Sequence, residues 1–111
     1  MPISSAQRKH YRTLGHTLNP VVTVADKGLT ENVQDELNRA LEDHELIKVK
    51  LAVLDRDARK TVVQNICKTC RCEVVQEIGK VALIFRAAKR PNAKLSNVLR
   101  ADAVPSVSTK H

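Results

Sequence analysis

The sequence predicts a single α/β domain with a mixed four-stranded sheet and three helices in the order αβαβαββ. Residues 46–54 alternate between apolar and polar side chains, which is typical of a half-buried strand. Residues 33–41 repeat apolar side chains at the spacing of one helix face. Segments of these two kinds follow one another along the 111 residues. Alternation of strands and helices implies parallel pairing through right-handed crossovers.

The first helix and the first strand are predicted from their end signals. Ser4 and Ser5 can cap a helix, and Gly15 is expected to end it or to loosen its last turn. Pro20 then opens a β-branched run at residues 21–24. We expect this run to be a strand that is buried on both faces.

The remaining elements follow from caps, periodicity and one glycine turn. Thr30 is a good N-cap for the second helix, and Asp57 can cap the third, which should end near residues 67–72. Two further strands are predicted at residues 73–78 and 80–86. The Gly-Lys pair at their junction predicts a hairpin, so the last strand should pair antiparallel with its predecessor.

Composition divides the chain into a domain at residues 1–88 and a basic tail at residues 89–111. Pro91, Pro105 and scattered serines and asparagines interrupt any long period in the tail, so we expect it to be largely disordered. No apolar run has the length of a membrane helix, and the first ten residues lack the apolar stretch of a signal peptide. We therefore expect a cytoplasmic protein without membrane association, monomeric in isolation.

Charge is distributed unevenly along the chain, which has a formal net charge of +7. The ends are basic, whereas residues 31–45 carry six acidic side chains against Arg39 alone. A basic pole attracts polyanions, of which nucleic acid is the commonest in a cytosol, although such charge also serves general solubility. Only Tyr11 and Phe85 are aromatic, which disfavours a base-stacking platform and favours recognition of RNA backbone and shape.

The turn at residues 25–28 joins a strand to a helix and is the strongest candidate for anion binding. Unpaired N–H groups at the start of the second helix should point toward it, and the helix dipole favours an anion there. An ordinary turn with an exposed lysine is the alternative. The basic side chains of the first helix, one strand face and the tail extend the candidate RNA-binding set, which is Arg8, Lys9, Arg12, Ala25, Asp26, Lys27, Gly28, Lys48, Lys50, Lys89 and Arg90.

Neither metal binding nor catalysis has a strong sequence signal. Cys67, Cys70 and Cys72 have the spacing of a metal or redox site, but no second C-x-x-C and no His pair accompany them. Thiols at a helix end in a reducing compartment are the preferred interpretation, and we expect no cofactor. The four histidines lie in no catalytic spacing, so we expect no enzymatic activity.

Several segments together resemble the CRM domain, in its stand-alone bacterial YhbY form. These are NPVV at 19–22, GLTE at 28–31, ALE at 40–42, HELIKVK at 44–50, IGK at 78–80 and FR at 85–86. The resemblance covers about residues 4–88. It implies a fold similar to the C-terminal domain of translation initiation factor three, RNA binding, and association with the precursor of the large ribosomal subunit.

The resemblance also implies a G-x-x-G loop, compared with the backbone-clamping loop of KH domains. Here the loop is Ala25-Asp26-Lys27-Gly28, so its first glycine is missing. If position 25 needed a positive φ, alanine would cost about 1–2 kcal/mol and would alter the loop. Asp26 adds a negative charge where a phosphate would approach.

Two alternatives to an RNA-binding assembly factor stay open. One is a protein-interaction adaptor that docks on ribosomal proteins through the acidic second helix. The other is a thiol or zinc regulatory domain built on the three cysteines.

Overall fold

The computed structural model describes residues 3–99, which form seven main elements. A further helical turn begins at Asn97, at the edge of the described range. The helices are α1 (Ser5–Gly15), α2 (Glu31–His44) and α3 (Arg56–Cys70), and the strands are β1 (Pro20–Ala25), β2 (Leu46–Ala52), β3 (Glu73–Ile78) and β4 (Val81–Phe85). The predicted order αβαβαββ is confirmed. Among the described residues, no helix has the length and apolarity needed to cross a membrane.

The four strands form one mixed sheet in the order β1-β2-β4-β3. β1 and β2 are parallel, whereas β4 is antiparallel to both of its neighbours. The hairpin turns at Gly79, whose φ of 55° lies in the left-handed region that glycine adopts at low cost. The mixed four-stranded sheet predicted from the sequence is therefore confirmed.

Each helix begins at a polar cap. Ser4 accepts a hydrogen bond from the Gln7 N–H and completes a capping box. Thr30 caps α2 as predicted, by accepting from the Val33 N–H. The prediction of Asp57 as the cap of α3 is wrong: Asp55 accepts from the Ala58 N–H, and Asp57 lies within the first turn. An acidic residue in a first turn still interacts favourably with the helix dipole.

The sheet packs against helices on both of its faces. α2 and α3 cover one face, where Leu37, Leu41 and Ile66 are fully buried against Val49. Burial of each such leucine or isoleucine side chain contributes about 1.5–3 kcal/mol. On the other face, α1 packs through Tyr11 in a smaller cluster.

β1 is an edge strand and is buried on one face only. Its Val22 and Val24 side chains are buried under α2, while Val21 is 51% exposed on the opposite side. The expectation of burial on both faces was wrong, because α1 covers β2, β3 and β4 but leaves β1 open. The β-branched composition that suggested complete burial also suits a strand at a sheet edge.

Gly15 marks a close approach of α1 to the sheet. A Cβ atom at this position would lie 2.6 Å from Leu83 Cδ2, which is less than real Cβ contacts allow. The absent side chain therefore lets the end of α1 rest directly on β4.

The expectation of a largely disordered tail does not hold for residues 89–99, which pack against the domain. Glu45 is 6% exposed and holds this segment with both carboxylate oxygens. Oε2 accepts from the Ala88 N–H at 2.7 Å, and Oε1 accepts from the Ser96 hydroxyl at 2.6 Å. Asn97 Nδ2 donates to the Leu46 carbonyl. Residues 100–111 of the predicted tail lie outside the described residues.

Candidate nucleic-acid interface

The side of the sheet that carries α1 is basic and nearly free of acidic residues. α1, β1, β2 and β4 contain no Asp or Glu. On this side Glu73 of β3 lies near the amino terminus of α1, where both of its carboxylate oxygens accept from the Ile3 N–H. The basic side chains here are Lys9, Arg12, His16, Lys48 and Lys50. We call this surface the α1 side.

Lys48 and Lys50 reach the α1 side because strand residues alternate between the two faces. Ile47, Val49 and Leu51 point into the core beneath α2 and α3, so the two lysines must point the other way. This arrangement of the lysines is the one predicted from the alternation of residues 46–54.

α1 covers only part of its face of the sheet. Beyond its end, a row of side chains crosses all four strands and is left open to solvent. Strand register places Thr23 opposite Lys50, Lys50 opposite Val81, and Val81 opposite Ile78. Ile78 is 63% exposed, so this open row offers apolar surface beside a lysine ammonium group.

A shallow cleft separates α1 from this row. It has a volume of about 300 Å³ and is lined by Gly15, His16, Lys48, Gln76, Ile78, Val81 and Leu83. Among its lining residues within 3–99, the ionisable side chains are His16 and Lys48, and none is acidic. A phosphate or ribose could approach here without meeting a carboxylate.

The opposite side of the sheet is acidic along α2. Glu31, Asp35 and Glu36 are exposed on this helix. Glu42 is engaged within the molecule, because its Oε2 accepts from the backbone N–H groups of Lys89 and Arg90. The charge separation along the sequence thus becomes a separation between the α1 side and α2, which lie on opposite faces of the sheet.

The candidate loop at residues 25–28 is a tight turn at the carboxyl end of β1. The Gly28 N–H donates to the Ala25 carbonyl at 2.8 Å, and Gly28 has a φ of 72°. A Cβ atom at Gly28 would touch nothing within 4 Å, so glycine is favoured there by backbone conformation and not by space.

Ala25 does not require the conformation that its missing glycine suggested. It is the last residue of β1, opposite Ala52, and among residues 3–99 the only non-glycine residues with positive φ are Glu45 and Arg71. The cost of about 1–2 kcal/mol considered for alanine in a left-handed conformation therefore does not apply.

The loop offers fewer free amides than the sequence suggested. The N–H groups of Gly28 and Thr30 donate to carbonyls of the turn, and the Val33 N–H donates to Thr30 Oγ1. These three donors are already used, so the anion-binding capacity of the turn depends more on the exposed Lys27 side chain.

Three predicted contact residues lie in settings that separate them from the α1 side. Arg8 Nη1 donates to the Val74 carbonyl at 2.6 Å and to the Val75 carbonyl at 3.3 Å, which ties α1 to β3. Lys89 and Arg90 have exposed side chains, but Glu42 holds their backbone beside α2. Lys9, Arg12, Lys48 and Lys50 do share the α1 side.

The structure adds basic residues that sequence reasoning missed. Arg56, Arg59 and Lys60 of α3 line a cleft of about 380 Å³ beside Gly79. Lys80 lies at the same end of the sheet, where its carbonyl accepts from the Leu51 N–H. The loop at residues 25–28 lies at this end too. β1 and β2 are parallel, so the loop after β1 and the start of α3 after β2 are at the same edge of the sheet.

The sequence did contain a signal for this second basic cluster. Helices that follow parallel strands begin at the same sheet edge as the loops after those strands. However, Glu77 lines the α3 cleft, and Arg59 Nη1 is held by the Val53 and Leu54 carbonyls. The α3 cleft is therefore less uniformly positive than the α1 side.

No metal-binding arrangement occurs within residues 3–99, where no group of three or more His, Cys, Asp and Glu side chains could hold an ion. Cys67, Cys70 and Cys72 are free thiols at the end of α3. The zinc alternative therefore lacks a complete set of ligands in the described part of the chain.

Comparison with known proteins places the chain in one family. The CRS1 / YhbY (CRM) domain matches residues 3–86. A Pseudomonas aeruginosa protein named "Probable RNA-binding protein" is 49% identical over 100 residues, which are 90% of this chain and 96% of that protein. A Haemophilus influenzae protein named "RNA-binding protein" is 37% identical over 93 residues, which are 84% of this chain and 94% of that protein.

A solved structure agrees with the family match. The solution structure of a hypothetical Staphylococcus aureus protein, described as an RNA-binding candidate, is similar with a TM-score of 0.72 and 28% identity. The similarity covers 86% of this chain and 98% of that one. The family predicted from the segments at residues 19–86 is confirmed: the chain belongs to the CRS1 / YhbY (CRM) domain family.

Proposed function

We propose that the chain is a non-enzymatic, cytoplasmic RNA-binding protein that associates with the precursor of the large ribosomal subunit and assists its assembly. The observation that carries the RNA part is the α1 side, where exposed cations stand on elements without Asp or Glu. The relatives named as RNA-binding proteins support the same partner. The ribosomal part rests on the resemblance to YhbY-type proteins.

The α1 side suits recognition of RNA backbone and shape. Lysine ammonium groups contact phosphates without reading base identity. The only two aromatic side chains of the chain, Tyr11 and Phe85, pack on each other with ring centroids 4.7 Å apart. Tyr11 is buried, so it provides no platform on which a base could stack. Structured RNA is therefore the proposed ligand.

A matched pair of charge reversals tests this surface. Lys50→Glu removes a cation from the open row, and Lys68→Glu makes the same change at an exposed position of α3, on the opposite side of the sheet. Affinity for a structured fragment of large-subunit rRNA is measured by fluorescence anisotropy over a range of salt concentrations.

We expect Lys50→Glu to weaken binding on the order of tenfold and to reduce the slope of log K against log salt by about 1. Lys68→Glu should change both quantities much less. Equal losses in the two variants would show that only net charge matters and would exclude the α1 side as the specific contact.

The ribosomal part needs a separate experiment. Lysate that contains the full chain is sedimented through a sucrose gradient, with and without ribonuclease. We expect the protein to comigrate with large-subunit particles and to lose this position after ribonuclease treatment. Sedimentation only with free protein, while purified chain still binds rRNA fragments, would remove the ribosomal role but leave RNA binding.

A protein-interaction adaptor is the second candidate, and the exposed carboxylates of α2 favour it. Asp35 and Glu36 are the better residues for its test, because Glu42 holds the backbone of Lys89 and Arg90. Charge reversal at both positions should release an adaptor from ribosomal proteins. In the RNA-binding reading, the same double variant should strengthen nonspecific RNA binding, since it removes negative charge.

A further inference from the structure

The end of α3 brings two cysteines together through its backbone geometry. Arg71 adopts the left-handed conformation with a φ of 55°, and the Cys72 N–H donates to the Cys67 carbonyl at 3.2 Å. This bond, from the second residue after a helix to the fourth residue from its end, characterises the Schellman motif. The motif typically places the side chains of those two residues in contact.

The two thiols also lie close together, and they differ in exposure. The Cys72 side chain lies close enough to the Cys67 thiol to influence its ionisation, and Cys72 Sγ also donates a hydrogen bond to the Ile66 carbonyl at 3.8 Å. Cys67 is half-buried, while Cys72 is only 7% exposed within the core beneath α2 and α3. A small oxidant can therefore reach Cys67 first. Cys72 is too buried to react directly and can react only with the oxidised Cys67.

The hydrogen bond from Cys72 lowers the pKa of Cys67 from its ordinary 9.0 to about 7. Burial raises this pKa, the backbone at Val74 lowers it, and the carboxylates of Glu77 and Glu73 raise it. The same hydrogen bond, together with burial, raises the pKa of Cys72. At neutral pH, Cys67 therefore has a large thiolate fraction and Cys72 retains its proton.

We propose that Cys67 and Cys72 are a reversible oxidation site, at which a hydroperoxide such as hydrogen peroxide converts the two thiols into an intramolecular disulfide. The geometry of the helix end carries this inference, because the Cys72 N–H bond to the Cys67 carbonyl brings the two residues together. It is independent of the RNA-binding function.

The chemistry proceeds in two balanced steps. The Cys67 thiolate attacks one peroxide oxygen, so that an S–O bond forms, the O–O bond breaks, and the departing hydroxide takes up a proton to become water. The Cys72 sulfur then attacks the resulting sulfenic acid, so that an S–S bond forms and the S–O bond breaks. The second oxygen leaves as water with the Cys72 proton, and the two thiols together have reduced one peroxide.

Cys70 is the internal control for this site. It is only 2% exposed, and burial raises its pKa. It is a core residue beneath α2 and α3, and its carbonyl accepts from Arg86 Nη1. Cys70 therefore should neither react first with peroxide nor take part in the disulfide.

The sequence allows the linkage to be mapped directly. Trypsin cleaves after Lys60, Lys68, Arg71 and Lys80, which places each cysteine on its own peptide: 61–68, 69–71 and 72–80. The full chain is treated with stoichiometric hydrogen peroxide, its remaining thiols are alkylated in acid and denaturant, and the digest is analysed by mass spectrometry without reduction.

We expect peptides 61–68 and 72–80 to be joined with the loss of two hydrogens, and peptide 69–71 to be alkylated. Two of the three thiols should thus disappear and return after treatment with a dithiol reductant. A disulfide that contains Cys70, or three alkylated thiols under conditions that fully oxidise a free low-pKa thiol, would overturn the proposal.

Two variants separate the roles of the cysteines. Cys70→Ser should form the same disulfide in the same yield. Cys72→Ala should form none and should leave a sulfenic acid at Cys67 that dimedone traps. Dimedone labelling of Cys67 in the wild-type chain at early times gives the same information if Cys72→Ala does not fold, and its absence would overturn the order of the two steps.

Discussion

Replacement of Ser96 by alanine tests whether the segment after β4 is part of the domain. Ser96 is completely buried, and its hydroxyl donates at 2.6 Å to Oε1 of Glu45, which is itself 6% exposed. The Ser96 Oγ in turn accepts from the Leu99 N–H at 3.2 Å. Removal of the hydroxyl leaves one oxygen of a buried carboxylate without its donor, which costs about 1–3 kcal/mol.

The measured loss of stability is limited because residues 87–99 can detach from the domain. If residues 87–99 detach, Glu45 regains water and the remaining domain stays folded. We therefore expect Ser96→Ala to lower the free energy of unfolding in urea by about 1–2 kcal/mol. Amide exchange at Ala88 should accelerate at the same time, because its N–H bond to Glu45 opens with the segment.

Ser5→Ala is the matched control, because Ser5 is exposed in the first turn of α1. This variant should stay within about 0.5 kcal/mol of the wild type. If Ser96→Ala showed neither the loss of stability nor the faster exchange of Ala88, the docking of residues 87–99 through Glu45 would be refuted.

Three further predictions concern the loop, a helix cap and a thiol. Gly28→Ala should lower the free energy of unfolding by about 1 kcal/mol, because Gly28 has a φ of 72°. Ala25→Gly should not raise RNA affinity, because residue 25 does not have a positive φ. A gain in affinity for Ala25→Gly would contradict this account of the loop. Asp55→Ala should lower the free energy of unfolding in urea by about 1 kcal/mol, because it removes the N-cap of α3. Asp57→Ala should lower it clearly less. The reverse order of the two losses would show that Asp57 is the cap. The alkylation rate of Cys67 should reach half its maximum near its pKa of about 7 and fall below that pH as the thiolate is protonated; a midpoint near 9 would show that the Cys72 hydrogen bond does not form in solution.

Local periodicity was sufficient to predict most of the fold. The alternation at residues 46–54 identified β2 and also predicted that Lys48 and Lys50 share the side opposite its apolar residues. Thr30 predicted the start of α2 because a cap acts on the residues directly after it. Asp55 and Asp57 are equally good cap types two residues apart, so the sequence could not distinguish between them.

The features that sequence reasoning missed depend on contacts between distant residues. Ser96 meets Glu45 across 51 positions, and no local pattern marks that pair. Arg8 and Arg12 are the same residue type on the same helix, but only Arg8 meets the carbonyls of β3. The candidate RNA-binding residues were therefore identified from their charge. The face on which each of these side chains lies depends on how the sheet and helices assemble.

The opposite charges of the α1 side and of α2 contribute an electric dipole that points across the sheet from α2 to the α1 side. A polyanion exerts a torque on such a dipole before contact, and the torque turns the α1 side toward it and α2 away. Encounters that begin with the wrong face can thus reorient instead of ending in dissociation. Salt should slow association not only by weakening the attraction but also by randomising the orientation at which the protein arrives.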